Sequence, residues 1–167
     1  MLPLWKTIDY TMYSGHNARK ELDIMEIKIG YASRYLNRKG CGFSLVNLNP
    51  KGKKTSDCVI RAIALVSGKK YEEVRDDAYA IYCKTGYAMS DKKNEERLLE
   101  KYGFVKMKQP RKADNTKYLV GEIWKLTDGR PCVVSCAHHL TAYNGNDIVD
   151  LWDCRNKTIG NYYIKEK

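Results

Sequence analysis

Cys58 opens the run Cys58-Val59-Ile60-Arg61-Ala62-Ile63-Ala64-Leu65-Val66, which is apolar on almost every face and reads as a buried helix. Ser56 or Asp57 can cap its start and Gly68 can end it. A thiol in the first turn of a helix sits beside unpaired N–H groups and a partial positive charge, and both favour a thiolate over a thiol. The backbone N–H of the same residue points to where a substrate oxyanion would form. Asp57 would oppose ionisation if its carboxylate pointed inward; as an N-cap it turns away to the helix amides. The plain alternative is a small buried residue, since unpaired Cys is commonly buried.

A thiol nucleophile needs a base, and the chain has three histidines, His16, His138 and His139. His16 falls in an irregular first segment. His138 and His139 open a run that reads as a strand, where alternation sends them to opposite faces. His139 then shares its face with Thr141 and Tyr143, and His138 with Cys136, Val134 and Cys132. Only one of the two can face the helix of Cys58. A base also needs an orienting acid or amide on its second ring nitrogen. Asn144-Gly145-Asn146 is a strong hairpin signal, and it returns the chain so that the stretch past Trp152 comes level with the His strand. Asp153 can therefore reach His139, with Asp150 as the alternative.

Thr55-Ser56-Asp57-Cys58 entering an apolar helix resembles the nucleophile segment of papain-like cysteine peptidases. His139-Leu140-Thr141-Ala142-Tyr143, a turn, and Val149-Asp150-Leu151-Trp152-Asp153 resembles their His strand followed by the Asp or Asn strand. The nearest named group is the bacteriocin-leader peptidases. Residues 47–165 also resemble a widespread set of uncharacterised bacteriophage proteins, through the Asp-Cys-Val-Ile-Arg-Ala-Ile-Ala helix, the His-Leu-Thr-Ala strand and Trp-Asp-Cys-Arg. The resemblance implies a phage-encoded thiol hydrolase acting on an amide or peptide bond, with Cys58 as nucleophile, His139 as base and Asp153 as orienter. It implies no cofactor, a peptide or protein substrate, and a place in the host cell cytoplasm. Papain-like peptidases usually carry a Gln shortly before the Cys to complete the oxyanion hole. Residues 50–57 hold no Gln or Asn, which leaves Asn49 and Thr55 as the nearest candidates.

Other chemistries fit some of the same residues. Cys132, Cys136 and His138, with Cys154 nearby, have the ligand types of a zinc site. Cys-x-x-x-Cys within an extended strand, however, holds its sulfurs about 13 Å apart at ~3.3 Å per residue, so no metal is expected. The same Cys-His pair can also deamidate or transfer an acyl group, because only the acceptor of the acyl-thioester differs. A non-catalytic phage protein gripping a host protein or nucleic acid through a basic surface is the alternative from a different class.

The 167 residues suit one domain, with room for a core and a cleft. The net charge is +10, with +6 over residues 1–56 and +4 over 91–117. No nucleic-acid motif accompanies that charge, so a solvated surface is preferred to a nucleic-acid footprint. No apolar run suits a signal peptide or a membrane span. Six Cys in a reducing compartment are expected as free thiols, ligands or a nucleophile. The order of elements is helices, then strands. Residues 1–24 look like a dispensable leader, and 25–167 like one domain with a short strand at 25–30. Further expectations are a strand at 43–48, helices at 58–66, 71–84 and 91–102 (capped by Ser90), a basic connection at 106–117 and a short helix near 119–126. Strands at 131–136, 139–143, 147–152 and 161–164 complete an α+β, papain-like fold, with the nucleophile helix packed on a C-terminal antiparallel sheet.

Overall fold

A computed structural model describes residues 40–54 and 56–166 of the chain. The expected leader at 1–24, the strand at 25–30, His16 and Thr55 lie outside the described residues. Among those described, the order is β1 (Gly42–Leu45), α1 (Cys58–Ser67), α2 (Tyr71–Thr85), α3 (Lys92–Lys101), β2 (Phe104–Met107), a 3-10 turn (Val120–Glu122), α4 (Trp124–Thr127), β3 (Cys132–Cys136), β4 (His139–Tyr143), β5 (Asp147–Asp150) and β6 (Tyr162–Lys165). The class is α+β. The sheet is mixed rather than purely antiparallel: it runs β1-β5-β4-β3-β6-β2, and β1 joins β5 in parallel. Residues 106–117 are not all connection, because Phe104–Met107 pairs antiparallel with β6 as the far edge strand. No helix among the described residues is long and apolar enough to cross a membrane.

The two faces of the sheet bury different sets. On one, α1, α2 and α3 cover Val133, Leu140, Ala142 and Tyr163, with Ile63, Val74, Leu98 and Leu99 at the centre. On the other, the 3-10 turn, α4 and the 151–161 segment cover Cys132, Val134, Tyr143, Ile148 and Tyr162 through Val120, Ile123 and Ile159. Strand alternation divides β3 and β4 between these layers. The helix α1 contributes almost its whole surface to the first core, as its sequence demands, and Gly68 ends it in the left-handed conformation that glycine adopts without a Cβ penalty.

Asp91, not Ser90, caps α3, its side chain accepting from the Lys93 N–H at 2.9 Å. One turn in, Asn94 is fully buried and fixes the loop from α2. Its Nδ2 donates to the Tyr87 carbonyl at 2.7 Å and to Thr85 Oγ1 at 3.0 Å, while its Oδ1 accepts from Arg97 at 3.0 Å. That loop carries Ala88, Met89 and Ser90 to the edge of a cleft. Asn94→Ala leaves several of these groups unpaired and is expected to cost about 2–3 kcal/mol; urea unfolding of the two proteins measures it.

Candidate active site

Cys58 begins α1, and the backbone just before it is unusual. Ser56 has φ 65°, in the left-handed region that non-glycine residues rarely occupy, and Asp57 follows at φ −134°. This bend aims the helix at the sheet. Neither Ser56 nor Asp57 caps the helix through its side chain. The buried Asp57 carboxylate pairs with Arg61 and accepts from Asn49 Nδ2 at 2.7 Å and from the Tyr71 hydroxyl at 3.0 Å. It does turn away from the thiol, as expected, but toward a guanidinium rather than the helix amides. Among the described residues, no side chain accepts from the first-turn amides, that of Cys58 included.

This arrangement removes Asn49 as an oxyanion donor. Its Nδ2 is engaged by Asp57 and Tyr71, and its Oδ1 accepts from the Lys51 N–H at 2.9 Å. Asn49 is 6% exposed and braces the entry to α1 instead. Arg61 carried a signal in the sequence, as the one charge inside an apolar helix and four residues after Asp57. Its buried guanidinium also feels the charge of Asp150.

His139 opens β4, but His138 does not belong to the strand. Ala137 and His138 form a two-residue hairpin turn, with His138 exposed at φ 54°. His139 is thereby paired across the strands with Cys136, so these two share a face, contrary to the alternation of an unbroken strand. The ring Nε2 lies 2.6 Å from Asp150 Oδ2. With Nε2 taken, Nδ1 is the nitrogen left for Cys58, which lies close enough to support the charge of the ring. Burial alone would push the imidazole down. The hydrogen bonds and charges of Asp150 and Cys58 outweigh it and raise the His139 pKa to about 10. Trp152 lies against the ring, with centroids 5.2 Å apart.

Asp150, not Asp153, is the carboxylate on His139. The β4–β5 ladder pairs Ala142 with Val149 and Tyr143 with Ile148. One step further, that register sets Asp150 opposite Thr141, a diagonal neighbour of His139 on the same face. Asp150 is 5% exposed, and its Oδ1 accepts from the Leu151 N–H at 2.7 Å. Asp153 has the wrong parity for that face and lies beyond the end of β5. It is exposed, and Arg155 holds it through contacts of 2.6 and 2.8 Å, which also lower its pKa.

Around these side chains lies a cleft of about 830 Å³. Cys58 and His139 line it, as do Ser135, Leu151 and Trp152. Cys136, paired with His139 across the strands, and Cys154 are both buried, and their mutual interaction lowers the pKa of Cys136 and raises that of Cys154. Ligand atoms of His139, Asp150 and Cys154 lie within 4.8 Å of one another, so these three, rather than Cys132, Cys136 and His138, could hold a metal. An ion there would have to break the His139–Asp150 hydrogen bond. Compared with protein-family profiles, curated proteins and solved structures, the chain gives no match.

A histidine whose pKa is raised by folding stabilises the fold fully below its unfolded value, ~6.5, and this contribution is lost as pH rises through about 10. The stability difference between the wild type and His139→Gln should therefore shrink between pH 6.5 and 10, by about 2 kcal/mol for a hydrogen bond to a charged group. Denaturant unfolding of both proteins across that range reads the difference and cancels the other groups that titrate there.

Proposed function

We propose that this chain is a thiol hydrolase of papain-like arrangement, which opens an amide or peptide bond through Cys58, His139 and Asp150. The observation that carries this reading is one imidazole shared between a buried carboxylate and a thiol on the first turn of a helix, at the wall of a cleft. These groups supply the types that acyl transfer uses, a nucleophile, a base and an orienter.

In the proposed cycle His139 already holds the Cys58 proton at Nδ1, as an imidazolium beside the thiolate, while Nε2–H stays on Asp150. The thiolate attacks the acyl carbon, and the oxyanion forms against the Cys58 N–H, which no described side chain caps. His139 returns the proton to the leaving amine as the C–N bond breaks. It then accepts a proton from water, whose oxygen attacks the thioester and releases the acid and the thiol. Asp150 keeps the ring in one tautomer and orientation throughout. With Asn49 engaged elsewhere, the second oxyanion donor falls to another group of the cleft; Ser56, whose hydroxyl makes no hydrogen bond with a described residue, lines it. Phage origin and a host-cytoplasm setting belong to this same proposal. The contrasting reading, a non-catalytic domain that binds a host protein or nucleic acid, draws on the +10 charge and on exposed Lys51, Lys53 and Lys54 before α1.

Acylation by p-nitrophenyl acetate separates the two. The hydrolase reading expects nitrophenolate release with an acetyl thioester mapped to Cys58, none in folded Cys58→Ala, and a rate about 10²–10⁴-fold lower in His139→Ala. Acylation of Cys58 that is indifferent to residue 139, or slower than that of the exposed Cys83, favours the binding domain.

A further inference from the structure

The cleft extends from Cys58 to α3, and the wall there carries groups that the proposed chemistry leaves unused. Glu95 is half-buried on that wall. It makes no ion pair and no hydrogen bond with any described residue. Its neighbours on α3 differ: Glu96 binds Lys106 at 2.5 Å, and Asp91 caps the helix. Tyr163 lines the same cleft and feels the charges of Glu96 and Glu95; it is 4% exposed, and its hydroxyl also makes no hydrogen bond with a described residue.

A carboxylate in the first turn of α3 would serve the helix dipole equally well facing water. Facing the cleft, it has lost part of its hydration without gaining a partner, and such a group is costly until something pairs with it. Burial accordingly raises the Glu95 pKa; Lys92 opposes this, and Glu96 and Asp91 add to it. Lys92 is exposed at the rim of the same cleft and forms no ion pair with Glu95. The other carboxylate lining the cleft, Asp57, is matched by Arg61. Lys54 and Lys92 also line the cleft, but neither forms an ion pair with Glu95, which leaves that carboxylate open to a cation brought by a ligand.

We infer that Glu95, with the Tyr163 hydroxyl of the same cleft, is a specificity pocket for a cationic side chain, and that the substrate is a peptide or amide bearing a lysine- or arginine-like group next to the bond Cys58 attacks. This inference rests on the thiol-hydrolase reading. The ammonium or guanidinium donates to the Glu95 carboxylate and the Tyr163 oxygen, both of which can accept.

Chloromethyl ketones test it without knowledge of the natural substrate. The Cys58 sulfur displaces chloride, a C–S bond forms, chloride leaves, and His139 holds the thiol proton. Tosyl-lysine, tosyl-norleucine and tosyl-glutamate chloromethyl ketones are compared by mass-mapped labelling of Cys58, each rate divided by that of iodoacetamide. The lysine reagent is expected to exceed the norleucine reagent about tenfold or more, the ratio given by one charge-assisted hydrogen bond. Glu95→Gln should bring that ratio near unity, and Glu95→Lys should favour the glutamate reagent, with the iodoacetamide rate unchanged in both. Equal lysine and norleucine rates, with Cys58 still reactive to iodoacetamide, overturn the pocket and leave the hydrolase standing. A Cys58 inert to iodoacetamide overturns the hydrolase reading and the pocket with it.

Discussion

The hydrogen bond between His139 Nε2 and Asp150 Oδ2, 2.6 Å long and flanked by Trp152, dictates much of the surrounding architecture. A buried carboxylate is expensive unless it is ionically or multiply hydrogen-bonded. Asp150 meets that demand with the imidazole, the Leu151 amide and the nearby Arg61 guanidinium. The imidazole in turn is held in one orientation, which leaves its second nitrogen for Cys58 at the start of α1. A rotation of the ring would break one contact to improve the other. The pair thus requires a fixed helix start and a fixed strand register, and the fold supplies both.

The helix start is fixed by Asp57, which ties Arg61, Asn49 and Tyr71 together immediately before Cys58. The same contacts keep a carboxylate charge matched beside the thiol. The register is fixed by two hairpins: Ala137-His138 sets His139 at the head of β4, and the turn after Tyr143 returns the chain with Ile148 and Asp150 on one face. Leu140 and Ala142 on β4 bind the helix layer, while Tyr143 binds the opposite layer. Site and core therefore depend on one another, since a slip of one residue would exchange the layers and part His139 from Asp150.

The amino-acid pattern made much of this visible. The buried α1 helix is announced by its unbroken apolar run, and the β4–β5 hairpin by Asn-Gly between two apolar strands. Cys58 and His139 follow from placing reactive types on those elements. Level along the hairpin alone favours Asp153, but parity decides for Asp150: on the strand after the turn, Asp150 shares a face with Ile148 and Asp153 does not. His138 has a left-handed φ that makes it a turn residue, and nothing in Ala-His-His announces this. Asn49 has the chemistry of an oxyanion donor, but its commitment to Asp57 and Tyr71 is tertiary and leaves no local signal. β2 lay hidden within a basic stretch because an edge strand needs few apolar residues, and only Phe104 in it is buried. Glu95 had no sequence signal, because which side of α3 meets the cleft depends on how the helix packs.

The most direct test of the shared imidazole is an NMR titration of the His139 ring nitrogens in the wild type, Cys58→Ala and Asp150→Asn. The structure predicts a ring protonated on both nitrogens at neutral pH and titrating near pH 10, with each substitution lowering that value toward the ordinary ~6.5. A ring that titrates near 6.5 in the wild type, and is unmoved by either substitution, would contradict the coupling of Asp150 and Cys58 through His139.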